Sequence, residues 1–69
     1  MRKFSIEAAR VTAGLTQEQL AKKMGVTRTS VGNWERGKKK ISRSHFLAFL
    51  KVTGFEEDEI FLPERLTAR

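Results

Sequence analysis

Cysteine is absent from the 69 residues. That excludes a disulfide framework and a zinc site of the usual cysteine type, and it fits a reducing cytosol. Long apolar runs are missing as well. No segment is long or apolar enough to span a bilayer, and the basic opening MRKFSIEAAR reaches Glu7 and Arg10 before an apolar run of signal-peptide length can build up. A soluble, cytoplasmic protein with no membrane partner is expected. The single histidine, His45, has no cysteine or second histidine to join it, so metal binding and acid/base catalysis rank below an ordinary place at the start of a helix. No metal or other cofactor is expected. Strand-like alternation, internal repeats and low-complexity linkers are lacking too. A chain this short reads as one domain, residues 1–69. It can bury only about 60% of its unfolded surface, which leaves little room for a deep catalytic cleft.

What is present in excess is positive charge. The net charge is +6, which points to a polyanionic partner, and its distribution says more than its total. Arg28, Arg36, Lys38, Lys39, Lys40 and Arg43 face one acid, Glu35, within residues 28–43. Conversely, Glu56, Glu57, Asp58, Glu59 and Glu64 place five of the eight acids in the last fourteen residues. One end is expected to face the polyanion and the other to face away.

Punctuation residues divide the chain into five short helices. Ser5 can cap the first, with Ile6, Ala9 and Ala13 at helical spacing and Gly14 at its end. Thr16 and Gln19 form a capping box for the second, in which Leu20, Ala21 and Met24 point inward and Gly25 is the stop. Thr27 caps a third that runs to Gly37, with Val31, Trp34 and Glu35 on one side. Ser42 caps a fourth carrying Phe46, Phe49 and Leu50 before Gly54. A fifth begins near Glu56, where Glu57, Asp58 and Glu59 suit a positive N-terminal end, and Pro63 stops it. The short link around Gly25 suggests a sharp crossing of helices two and three.

With Val31 at the centre of the buried side of helix three and about 100° per residue, Trp34 and Glu35 lie inward. Trp34 is assigned to the core and not to base stacking. Thr29, Gly32, Asn33 and Arg36 lie outward, with Arg28 projecting from the first turn. The outward set is short, polar or basic, and it tolerates a mid-helix glycine that costs roughly 1 kcal/mol relative to alanine. Such a face ordinarily just meets solvent. It also has what a DNA groove demands: Arg28 can pair bidentately with guanine, Asn33 with adenine, and Thr29 and Ser30 can reach a base edge or a thymine methyl. Ser30, nearer the flank, could equally serve packing or a phosphate. Gln17, the first residue of helix two, sits where unpaired N–H groups favour an anion. Lys38, Lys39, Lys40 and Arg43 follow helix three and can hold phosphates without choosing sequence. Arg10, on the apolar side of helix one, and Glu35 each need an inward partner.

The run LTQEQLAKKMGVTRTSVGNWERG, Leu15 to Gly37, resembles the helix-turn-helix of the lambda repressor/Cro family, also called the XRE family. Its marks are the T-Q opening, L-A in helix two, the glycine at the turn, the S-V pair, and W-E-x-G at the end of helix three. The tail DEIFLP is similar to family ends, so the resemblance covers nearly the whole chain. It implies an all-α, compact bundle of five short helices containing a helix-turn-helix, lambda repressor-like. It also implies that helix three, about residues 28–36, lies in the major groove while helix two crosses the backbone.

On that resemblance Arg28, Thr29, Ser30, Gly32 and Asn33 are the base-reading set, and Gln17, Arg36, Lys38, Lys39, Lys40 and Arg43 the phosphate set. Arg10 and Glu35 form a structural ion pair. Thr53 departs from the pattern, standing where a leucine is usual, so a looser end of helix four and a displaced tail are expected. The implied function is sequence-specific binding of a double-stranded DNA operator by a bacterial or phage-encoded, nucleoid-associated transcriptional regulator. It would act as a homodimer on a pseudo-palindrome, with Phe55, Ile60, Phe61, Leu62 and Leu66 contributing to the dimer surface. An antitoxin or a restriction-modification controller would share this physics. A protein-interaction domain on the same fold would favour an acidic outward face on helix three, the opposite of what is seen. An enzyme is not expected, since no nucleophile-base pair appears.

Overall fold

The computed structural model describes residues 3–62. Within them four helices run α1 (Ile6–Thr12), α2 (Gln17–Met24), α3 (Arg28–Arg36) and α4 (Arg43–Thr53), followed by a single 3-10 turn, Glu57–Glu59. Each helix begins on a hydroxyl that accepts a backbone N–H three residues on: Ser5 from Ala8, Thr16 from Gln19, Thr27 from Ser30 and Ser42 from His45. These caps satisfy donors that the helix itself cannot. At Thr16 the box is complete, since the Gln19 side chain also accepts from the Thr16 N–H at 2.9 Å.

The turn between α2 and α3 depends on Gly25, whose φ of 75° is left-handed backbone that a side chain disfavours. There the Val26 N–H reaches back to the Ala21 carbonyl at 2.9 Å, closing α2. Thr27 then opens α3 at once. The two helices pack against each other, α2 also against α4, and α1 against α3.

The core draws from every element. Ile6, Ala9, Leu20, Ala21, Val31, Trp34, Ile41, Phe46, Phe49, Ile60 and Leu62 are buried, with Phe49, Leu20 and Val31 fully enclosed. Burying side chains of this size stabilises by about 1.5–3 kcal/mol each. Ala13, placed on the inward stripe by its spacing, is exposed because α1 ends one residue earlier. The Thr53 hydroxyl donates to the Phe49 carbonyl at 2.8 Å, so the polar atom is satisfied within the helix.

The end of the described chain departs most from expectation. Instead of a fifth α-helix there is one 3-10 turn and then an extended segment. Phe4 N–H donates to the Glu59 carbonyl and Phe61 N–H to the Phe4 carbonyl, both at 2.7 Å, forming an isolated parallel bridge between Phe4 and Ile60. The Phe4 and Phe55 rings meet edge-on with centroids 4.9 Å apart. Ile60 and Leu62 point inward and Phe61 is half-buried, a period of two that fits extended backbone and not a helix. Ile60 and Leu62 are thus used by this chain's own core and do not supply a dimer surface. Pro63, Glu64 and Leu66 lie outside the described residues.

Candidate nucleic-acid interface

The N-terminal end of α2 and the outer face of α3 share a shallow hollow lined by Gln17, Arg28, Thr29, Gly32 and Arg36. The α3 residues fall at i, i+1, i+4 and i+8, which places them on one stripe. Arg28, Thr29 and Arg36 are exposed, Gln17, Ser30 and Asn33 half-buried. Trp34 lies on the opposite, buried side, its ring 5.4 Å from that of His45.

Gly32 is not the open spot that its place on the wheel suggests. It is buried, and a Cβ there would sit 3.3 Å from Arg36 Nη1. Helical side chains lean back toward the N-terminus, so a long side chain one turn on covers the residue four before it. The Arg36 guanidinium lies over Gly32 and donates through Nη2 to Asn33 Oδ1 at 3.2 Å. The spacing i, i+3 could have signalled that contact. Ser30 is drawn into the cap: Thr27 Oγ1 accepts the Ser30 N–H and donates to Ser30 Oγ, both at 3.1 Å.

Behind this face lies a buried polar network. Glu35 Oε2 accepts from Arg10 Nε at 2.6 Å, and Glu35 Oε1 from Arg10 Nη2 at 3.4 Å. The remaining Arg10 nitrogen, Nη1, donates to the Leu15 carbonyl at 2.8 Å. The two side chains are only 10% and 4% exposed, so their pairing is what makes the charges tolerable there. Gln17 joins them, donating from Nε2 to Glu35 Oε1 at 2.9 Å. Its side chain, read from the sequence as aimed at a phosphate, is therefore anchored inward. The second amide hydrogen and the N–H groups of Gln17 and Glu18 stay open, whereas that of Gln19 is taken by Thr16 Oγ1.

After α3, Lys38, Lys39 and Lys40 are exposed. Their loop is held at both ends. The Lys38 and Lys39 N–H groups both bond the Asn33 carbonyl, at 2.9 and 3.4 Å, and Ile41 is buried. Arg43 stands differently, because its guanidinium forks onto Glu57 at 2.7 and 3.1 Å. Hydrogen bonding to the Glu57 carboxylate, and then its charge, raise the Arg43 pKa above its ordinary value. The acidic end therefore touches the basic strip at this point instead of facing wholly away. Nothing in the spacing marked Glu57 as that partner.

Among the described residues no group of His, Cys, Asp or Glu could hold a metal ion, and no helix is long and apolar enough to cross a membrane. No curated protein and no solved structure matches the chain. A family model described as helix-turn-helix does match, over residues 6–60. That stretch runs from the first residue of α1 to Ile60 of the bridge and so takes in α2, the Gly25 turn, α3 and the hollow between them. The chain belongs to the helix-turn-helix family of DNA-binding regulators, of the lambda repressor/Cro (XRE) type.

Proposed function

We propose that the chain is a single-domain, sequence-specific transcriptional regulator that occupies a pseudo-palindromic operator as a homodimer, each copy placing α3 in the major groove. The observation that carries this reading is the shared hollow of Gln17, Arg28, Thr29, Gly32 and Arg36. It sets a helix N-terminus beside a stripe of base-compatible side chains. Phosphate contact at the first and base contact along the second is the docking pattern of a helix-turn-helix.

Roles follow from reach and chemistry. Arg28, Thr29, Ser30 and Asn33 read base edges, Arg28 in the first turn with its guanidinium suited to the paired acceptors of guanine. Gln17, with the donors of the first turn of α2, takes a phosphate. Lys38, Lys39 and Lys40 hold the backbone, and Arg43 does so by exchanging Glu57 for a phosphate. The Arg43–Glu57 pair is exposed and screened by solvent, so that exchange is cheap. Half-sites lie about one helical turn apart. For the dimer contact, Leu47, 47% exposed, lies with Leu50, Gly54 and Phe55 in a groove on α4 and the segment after it, edged by Lys51, Glu56 and Glu57. The site of action is the bacterial or phage DNA of the cytoplasm, where the chain acts by occupying its operator.

A gel shift against genomic fragments over a range of salt tests the reading. Retention of particular fragments at salt that releases bulk DNA is expected. Uniform, salt-labile binding would leave a non-specific DNA-binding protein, and no binding at any salt would favour a protein-interaction domain.

A further inference from the structure

We infer that Arg36 and Asn33 act as one reading unit, in which Arg36, seated on Gly32, fixes the Asn33 amide so that it favours guanine over adenine. This rests on α3 entering the major groove. Arg36 has only donors, so the Asn33 atom 3.2 Å from its Nη2 must be the carbonyl oxygen. That settles the orientation of the amide: Oδ1 faces Arg36, and Nδ2 is the group left to bond a base. No other hydrogen bond of the Asn33 side chain occurs among the described residues.

The consequence is a change of code. An asparagine free to turn reads adenine with both ends, Oδ1 accepting from N6 and Nδ2 donating to N7. With one of its two Oδ1 lone pairs held by Arg36, the unit offers adenine's amino group only the other, and beside a cation, while its remaining groups are all donors. Guanine instead presents N7 and O6, two acceptors, to Nδ2 and to the remaining guanidinium N–H groups. Gly32 makes this possible because the guanidinium lies where a side chain would stand, 3.3 Å from the place of a Cβ. Arg36 thereby serves specificity twice, by holding the Asn33 amide and by offering its own N–H groups to the base, beyond any phosphate it touches.

Selection of bound duplexes from a randomised pool tests this with four folded proteins: wild type, Asn33→Ala, Arg36→Met and Arg36→Lys. The position whose base preference vanishes in Asn33→Ala is the one Asn33 reads. There the wild type should select guanine, and both Arg36 variants should shift the ratio toward adenine by roughly tenfold, with other positions unchanged. Arg36→Lys keeps the charge but loses the planar fork, so a shift shared with Arg36→Met reports loss of the paired reading unit and not of phosphate attraction. Adenine in the wild-type site overturns the inference. So does an Arg36→Met protein with the same base choice and uniformly weaker binding. A wild type that selects no sequence, or an Asn33→Ala protein that keeps every preference, removes the base-reading role itself and the coupling with it.

Discussion

Arg10 on α1 and Glu35 on α3 meet at 2.6 Å between side chains that are 10% and 4% exposed, and Gln17 on α2 bonds the same carboxylate. Three helices are thus registered by one charge. Removing either partner leaves the other buried and uncompensated. Arg10→Ala and Glu35→Ala should each destabilise by about 3–5 kcal/mol, whereas a joint replacement such as Arg10→Met with Glu35→Leu should cost much less. Chemical denaturation of the singles and the double measures this. Small additive losses would show that the pair contributes little.

The three lysines after α3 should act on all DNA alike. Neutralising any one of Lys38, Lys39 or Lys40 by glutamine should weaken cognate and scrambled duplexes equally and lower the slope of log affinity against log salt by about one. Titrations at several salt concentrations supply the slope. A loss confined to the cognate duplex would assign that lysine to base reading.

Glu57 competes with phosphate for Arg43. Glu57→Gln should therefore raise affinity for any duplex and steepen the salt dependence, while Arg43→Gln should reverse both effects and make the Glu57 change silent. Binding of the two singles and the double closes this cycle. An unchanged affinity in Glu57→Gln would place Arg43 away from the DNA backbone.

Gly32 separates stability from binding. Gly32→Ala places a Cβ against the flexible tip of Arg36, which can give way, so the helix-propensity gain of up to about 1 kcal/mol should appear as a higher melting temperature. Gly32→Leu should fold and lose DNA affinity, because it displaces Arg36 and fills the hollow. Paired melting and binding curves decide the matter, and a folded Gly32→Leu protein with undiminished affinity would show that this face stays out of the groove.

Much of the fold is legible in the sequence because its determinants are local. Ser5, Thr16, Thr27 and Ser42 cap within three residues, and Gly25, Gly37 and Gly54 end their helices in left-handed backbone. The inward positions of Arg10 and Glu35 were legible from the same helical period. What escaped was set by distant or long side chains. The tail from Glu56 reads as a helix start, yet Ile60 and Leu62 are claimed by a strand-like period whose partner is Phe4, at the other end of the described chain. Similarly, the wheel that turned Gly32 outward carries no information on how far Arg36 folds back.

The Phe4 and Ile60 bridge also governs how the molecule opens. Its two hydrogen bonds close a ring of almost the whole described chain, and closing so long a loop carries an entropic penalty that the local helix caps do not. The segment before α1 is held by those two bonds, whereas α1 itself is held by the buried Ile6 and Ala9 and by the Arg10–Glu35 pair. Opening the bridge would therefore release the N-terminal segment first, as a partial unfolding event that leaves the helix-turn-helix paired. The amides of Phe4 and Phe61 should exchange with solvent deuterium sooner than those of Leu20 and Val31. A chain that exchanged all four at one rate would open as a single unit.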